Sequence, residues 1–418
     1  MKLLMIADDF TGALDAGVQF AKKGFSTKVL VYEKEDFGKI ENADVLVVDT
    51  ETRHKTAQEA YRIVHQIVKV SVEYGVRYLF KKTDSALRGN IGSELTAVLD
   101  ASNGSMLHFL PAFPQMKRIT VNGIHYIDGL PVKESVFGAD PFEPVITSDV
   151  EELIHQQCDT CVQLVHKGEL PLPGKEKTIA VYDCSADEEM KSIAEHLKEK
   201  GELSLIAGCA GLAQIIPELL GWKKTSRNVP GLPEKFLVVC GSLNPITAKQ
   251  LDYAEKNGFA RIRLSPEQKL EPDYFQKEAG KIWLNKLWDV CSRNDRIIID
   301  TNDFLQDNAT EKYAVEKGIS REKMRTQIPM ALGTVVENMI CRGLCSSMLM
   351  TGGDTLLGCI HRMDNARLTP VCEFAKGIVL SELVSGEGKT HVFTKSGGFG
   401  EETLLTDMAK LICCRESA

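Results

Sequence analysis

Short apolar, β-branched runs alternate with helix-like stretches along almost the whole chain, and this alternation restricts the fold more than any other feature. Residues 3–7, 27–31, 45–48, 78–81, 106–110 and 178–182 form one series of strand candidates. Residues 236–240, 261–264, 296–300, 347–350 and 392–394 form a second. Helical spacing fills 14–23, 57–74, 190–200, 246–257 and 330–342. Strands that alternate with helices predict parallel sheets covered by helices. Residues 45–48 and 236–240 are apolar throughout, as strands buried on both faces are. The stretch 221–235 is polar, holds two Pro and two Gly, and separates the series. The sequence thus predicts an α/β protein with mainly parallel sheets and two domains, 1–225 and 236–418, joined by a linker at 226–235. A second irregular region, 111–144, carries five Pro and is expected to be an insertion with hairpin character beside a site.

Composition excludes several classes. With 418 residues, 43% hydrophobic and 26% charged, the chain is neither disordered nor a disulfide miniprotein. Lys and Arg total 50 against 58 Asp and Glu, a net charge of −8, and there is no long basic run. No nucleic-acid partner is expected. An anionic substrate remains open, because local charge decides that. The apolar run Leu3-Leu4-Met5-Ile6 meets Asp8-Asp9 at once, too soon for a signal peptide or a membrane span. We expect a cytoplasmic protein without a membrane partner. The 12 Cys are scattered and read as reduced thiols, and Cys158-Gln-Gln-Cys161 lacks the second pair a zinc site wants.

Chemistry concentrates where strands end. Asp8-Asp9-Phe10-Thr11-Gly12 follows the first strand and opens a helix. Ligands of open α/β sheets sit beyond the carboxyl ends of strands. Two carboxylates there can bind hydroxyls, hold a metal or act as a base. Helix capping would explain only one of them. Lys81-Lys82-Thr83-Asp84-Ser85-Ala86-Leu87-Arg88-Gly89 follows another strand, and its cations suit a carboxylate or phosphate. Asp84 among them should stay ionised. Arg53, after a third strand, is a weaker candidate. Three glycine turns fill the C-terminal half: Gly241-Ser242 with Thr247, Gly352-Gly353-Asp354-Thr355, and Lys395-Ser396-Gly397-Gly398-Phe399-Gly400. Backbone N–H groups at such helix starts bind anions, so three together predict a polyphosphate site. Gly386-Glu387-Gly388-Lys389-Thr390 imitates the end of a P-loop, but Leu383 stands where its first Gly belongs and a strand follows.

Taken in order, several of these pieces resemble the four-carbon acid sugar kinases. The matching segments are Asp8-Asp9-Phe10-Thr11-Gly12-Ala13, Lys81 to Ser85 with Arg88-Gly89, Pro111-Ala112-Phe113-Pro114, and Asp128-Gly129-Leu130-Pro131-Val132. Gly241-Ser242 with Thr247, Thr351 to Thr355, and Ser396 to Gly400 complete the set, which covers nearly the whole chain. The resemblance implies an ATP-dependent kinase that phosphorylates the terminal hydroxyl of a tetronate such as D-threonate or D-erythronate. A 3-oxo-tetronate or L-threonate is the alternative substrate. It also implies a sugar-acid site and an ATP site on different domains, facing an interdomain cleft, with Mg²⁺ as the usual companion of ATP. By carry-over, Asp9, Arg53, Lys82, Thr83, Asp84 and Ser85 are substrate-site residues. Ser242, Gly352, Gly353, Asp354, Thr355, Gly397, Gly398, Phe399 and Gly400 are nucleotide-site residues. Asp8, Arg88 and Thr247 join them from the residue reading. Asp9 or Asp84 is the expected base. The chain departs from the family after Phe113-Pro114, where Lys117-Arg118 stands slightly later than the family's Gly-Arg. A homodimer is the default assembly. Two other readings compete: a lyase-like sugar-acid enzyme using Lys82 or a metal at Asp8-Asp9, and a non-catalytic ligand sensor.

Overall fold

The computed structural model describes residues 1–32, 43–140, 143–172, 174–222, 231–304, 307–363, 367–375, 377–385, 388–395 and 400–413. The chain divides into two compact units, Met1–Arg227 and Asn228–Ala418.

In the first unit the elements run β1 (Leu3–Ala7), α1 (Phe10–Ala21), β2 (Thr27–Val31), β3 (Val45–Asp49), α2 (Ala57–Glu73), β4 (Tyr78–Lys82), α3 (Ile91–Ala101) and β5 (Met106–Leu110). Then come β6 (Arg118–Val121), β7 (Ile124–Ile127), β8 (Leu130–Pro131), α4 (Val150–His155), β9 (Cys161–Val165), β10 (Thr178–Tyr182), α5 (Asp187–Lys200), β11 (Leu205–Gly208) and α6 (Ala210–Leu219). The sheet order is β2-β3-β1-β4-β11-β5-β10-β9, with every neighbouring pair parallel. Every residue of β1 and β3 is buried, which is why both runs are wholly apolar up to the terminal Asp49. Ile6, Leu46, Val48, Val64, Ile67, Leu95, Val98 and Phe109 belong to one apolar core. Each such side chain contributes about 1.5–3 kcal/mol on leaving water.

From β1 the chain first builds outward to β2 and β3, then crosses to β4 on the other side of β1. The strand order therefore reverses around β1, and a crevice opens at the carboxyl ends of β3, β1 and β4. The insertion expected at 111–144 holds the antiparallel strands β6-β7-β8, with β6 and β7 joined at Asn122-Gly123.

The second unit runs β12 (Phe236–Cys240), α7 (Pro245–Lys256), β13 (Ala260–Arg263), α8 (Pro266–Leu270), α9 (Glu278–Arg293), β14 (Arg296–Asp300), α10 (Ala309–Glu316) and α11 (Arg321–Cys341). It ends with β15 (Ser347–Thr351), α12 (Gly353–His361), β16 (Arg367–Ala375), β17 (Ile378–Ser385), β18 (Gly388–Lys395) and α13 (Leu404–Cys413). Its strand order is β13-β14-β12-β15-β18-β17-β16, parallel as far as β18 and antiparallel beyond. The expected strand at 392–394 is thus the end of a longer strand in an antiparallel meander. Residues 388–390 lie in β18, as a strand and not a P-loop helix requires. No helix among the described residues is long and apolar enough to cross a membrane.

Candidate active site

The crevice of the first unit is lined from three loops. Asp9 caps α1: its Oδ1 accepts from Gly12 N at 3.1 Å. Capping is therefore real, but it does not exhaust Asp9. Arg53, from the loop after β3, reaches both acids. Its Nε donates to Asp8 Oδ2 at 2.7 Å, and its Nη1 to Asp9 Oδ2 at 2.9 Å. Arg53 Nη2 lies 2.7 Å from Asp9 Oδ1 and 3.8 Å from Asp84 Oδ1. The weaker sequence candidate is thus the hub that ties β1, β3 and β4 together. Backbone bonds from Thr52 N and Arg53 N to the Asp8 carbonyl fix the same junction. Burial would raise the Asp8 pKa, but Arg53, Lys81 and Lys82 together hold it below the ordinary carboxylate range. The three acids outweigh burial in the other direction at Arg53, which is held well above its usual value.

The loop after β4 supplies the second half. Burial opposes ionisation of Asp84, yet Arg88, Arg53 and Arg118 hold its pKa well below normal. Arg88 grips it in bidentate fashion, with Nε donating to Oδ2 at 2.8 Å and Nη2 to Oδ1 at 3.2 Å. Strand alternation sends the two lysines to opposite faces. Lys81 turns away into a buried pair with Glu94 at 2.6 Å and is structural. Lys82 Nζ lies over the start of α1, where a Cβ added at Gly12 would come within 2.6 Å of it. Lys82 donates to the Thr83 carbonyl at 2.9 Å and makes no ion pair among the described residues. Thr83 Oγ1 and Asp8 Oδ1 are buried without a hydrogen-bond partner. Buried polar atoms are normally paired, so a polar ligand or a water would satisfy these two. Ser85 is held through its carbonyl, 3.0 Å from His125 Nε2, and through its hydroxyl by Arg118 Nη1. Burial lowers the His125 pKa to about 4, so the ring is neutral and donates there. Asp49 stands apart: burial, with Glu51 beside it, holds its carboxyl well above the usual range.

In the second unit the first two glycine turns meet. Gly352 has φ of +101°, and a Cβ there would sit 3.2 Å from Thr355 Oγ1 and 3.5 Å from Ser242 N. Gly352 is also the N-cap of α12 and brings no side chain of its own to the first N–H groups, which suit an anion. Thr351 Oγ1, just before, is buried without a partner. Asn302 braces the first turn, its Nδ2 donating to the Ser242 carbonyl at 3.2 Å. The end of β18 is tied to α7. Lys395 Nζ donates to Thr247 Oγ1 at 3.2 Å, and Gln250 Nε2 donates to the Gly400 carbonyl at 2.9 Å. Burial lowers the Lys395 pKa to about 8.

All eight acid-site candidates, Asp8, Asp9, Arg53, Lys82, Thr83, Asp84, Ser85 and Arg88, therefore gather at one crevice. Ser242, Gly352 and Thr355 also converge, and Gly353 opens α12. Asp354 is half exposed and faces Arg325 at 3.4 Å instead. Gly397, Gly398 and Phe399 lie outside the described residues. Sequence reasoning left Arg118 without a role and missed Phe137, Asp140, His125 and Asn302. Of these, Arg118 alone had a signal, the Pro111-Ala112-Phe113-Pro114 segment just before it. Among the described residues no cluster of three or more His, Cys, Asp or Glu could hold a metal ion.

Known proteins match both halves. A sugar-binding N-terminal domain matches residues 3–216, and a nucleotide-binding C-terminal domain matches residues 237–405. A D-threonate kinase of Salmonella typhimurium is 30% identical over 97% of this chain and 97% of its own. A D-erythronate kinase of Heliobacterium modesticaldum is 25% identical, covering 95% of this chain and 94% of its own. A 3-oxo-tetronate kinase of Cupriavidus necator is 23% identical, covering 94% and 93%. Among solved structures, a Salmonella typhimurium LT2 protein superposes with a TM-score of 0.79 at 19% identity, covering 99% of each chain. The chain belongs to the family of four-carbon acid sugar kinases.

Proposed function

We propose that the protein transfers the γ-phosphoryl group of ATP to the terminal hydroxyl of a four-carbon sugar acid, with D-threonate or D-erythronate as the first candidates. The observation that carries this reading is the crevice itself. It offers ionised carboxylates for hydroxyl groups, a buried ammonium without an ion pair for an acid group, and two buried polar atoms without partners. The first domain, 1–225, takes the acid, and the second, 236–418, takes the nucleotide.

Lys82 receives the acid's carboxylate. Asp9 accepts the reacting hydroxyl's hydrogen bond, because its side chain is the most open of the three acids, 23% exposed against 3% for Asp8 and 11% for Asp84. Asp84, held strongly ionised by Arg88, is a poor proton acceptor and orients a second hydroxyl. Phosphoryl transfer passes through a loose transition state, so positioning and charge neutralisation outweigh proton abstraction. The α12 N–H groups and Lys395 take the phosphates. Magnesium would arrive with ATP at the phosphate-binding end of the α12 turn. It would supply charge neutralisation there.

The test is ADP release with Mg-ATP across a panel of C4 sugar acids, their 3-oxo forms, and C5 and C6 acids. One tetronate should turn over far faster than the rest. No turnover with any acid, in folded protein that binds ATP, contradicts the reading.

A further inference from the structure

We propose that Arg118 is a specificity-determining residue that reads the substrate's carboxylate together with Lys82, and that Phe137 is the positioning residue that holds its guanidinium. This deepens the sugar-acid kinase reading and rests on it.

The arginines of the crevice differ in how they are satisfied. Arg53 is saturated by Asp8 and Asp9. Arg88 is saturated by Asp84 and by Asp140, whose Oδ2 lies 3.2 Å from Nη1. Arg118 makes no ion pair among the described residues. Its Nη1 donates to Ser85 Oγ, and its Nε is buried with no hydrogen-bond partner. A guanidinium is always charged, and this one is half-buried, with the field of Asp84 but no ion pair to offset it. Lys82 likewise makes no ion pair among the described residues. Both cations reach the loop after β4, Lys82 at the Thr83 carbonyl and Arg118 at the Ser85 hydroxyl. Two cations without ion pairs at one loop call for one carboxylate.

The rest of the insertion fixes Arg118 in place. The Phe137 ring lies between two guanidinium groups, 5.1 Å from Arg88 Cζ and 5.3 Å from Arg118 Cζ. Arg88 cannot drift, being clamped by Asp84 and Asp140. The Phe137 backbone is itself anchored, its carbonyl accepting from Val145 N at 3.0 Å. The Arg118 backbone pairs with Phe113 in both directions, at 2.7 and 3.2 Å. The guanidinium is thus held on its face by an aromatic ring and at one end by Ser85, with Nε unpartnered. An Arg aimed in this way selects an acid over the corresponding neutral polyol.

The test is steady-state kinetics of the full chain with the tetronate that the wild type turns over best. Arg118→Gln should raise the KM for the acid roughly 10- to 150-fold, the span of a charge-assisted hydrogen bond. The kcat and the KM for ATP should stay within about threefold. Arg118→Lys should recover part of the loss by restoring charge without the fork. Phe137→Leu, which keeps an apolar side chain and all the charges, should raise the KM for the acid severalfold and leave the KM for ATP unchanged. An acid KM within threefold of wild type in both Arg118→Gln and Phe137→Leu overturns the proposal. So does a parallel loss in kcat and in ATP KM, which marks a merely structural role. If Arg118→Gln does not fold, Phe137→Leu alone decides. Failure of the parent reading is separate: there the wild type itself turns over no tetronate.

Discussion

The two halves of the chain use the same α/β logic, with ligands at the carboxyl ends of parallel strands, yet they fill that place with opposite materials. In the first unit the crevice is built from charged side chains. Asp8, Asp9, Arg53, Asp84 and Arg88 form a single network in which each group neutralises another. In the second unit it is built from backbone: an uncapped helix start, a left-handed glycine and one buried lysine. The difference follows from the ligands proposed. Acids that differ by one stereocentre are told apart only by directional side-chain partners. A triphosphate needs many identical donors at close range, which glycine backbone supplies.

Asp9→Asn should have the largest effect. Asn is as good an N-cap as Asp, so α1 keeps its cap while the hydroxyl loses its carboxylate. We expect turnover to fall by about 10²–10⁴, with ATP affinity unchanged by calorimetry. Full activity in this variant would remove Asp9 from the site and favour Asp84.

Gly352→Ala probes the other half. At φ of +101° any side chain is strained, and the methyl group would crowd Thr355 Oγ1. The strain is about 1–3 kcal/mol, and we expect the KM for ATP to rise about tenfold or more while the acid's binding constant is untouched. A change in acid binding instead would break the division of labour between the two units.

Lys395 makes a smaller, pH-dependent contribution. Its pKa in the free protein is lowered to about 8, so its charge is present below pH 8 and fades above it. Phosphate binding requires the charged form, so affinity falls as pH rises through that value. The KM for ATP should grow roughly tenfold between pH 7 and pH 9, and Lys395→Arg should flatten the profile. A wild-type profile already flat over this window would exclude Lys395 from the phosphates.

Thr56→Ala should be smallest in rate. Thr56 and Glu59 form a capping box at the start of α2, on the same unit but outside the site. Its loss costs about 1 kcal/mol of stability, or about 2–4 °C in Tm for a domain of this size, with kinetic constants unchanged. Altered kinetics would mean that the Asp8–Arg53 network depends on α2 more than its own bonds imply.

Much of this was legible in the sequence, for physical reasons. Strands such as 3–7 and 236–240 announce themselves because both faces are buried. The eight residues that the structure gathers at the crevice fall in short segments after strands, so local pattern was enough to single them out. What was missed lacked local pattern. Phe137 and Asp140 are far in sequence from the Arg88 they touch. Residues 367–375 contain Pro370, which argues against a strand, and the strand accommodates it with a register shift between Pro370 and Cys372. Lys81 and Lys82 are adjacent and alike in the sequence, and only the pleat of β4 separates a lysine paired with Glu94 from one that lies over the start of α1.

Hydrogen–deuterium exchange with D-threonate or D-erythronate alone, and separately with a non-hydrolysable ATP analogue alone, tests the central claim most directly. The acid that turns over should protect peptides that cover residues 8–15, 50–56, 82–90 and 117–122. The nucleotide analogue should protect those around 241–247 and 351–357. Protection of the second set by the acid, or of the first set by the nucleotide, would contradict the assignment of the two ligands to two different units.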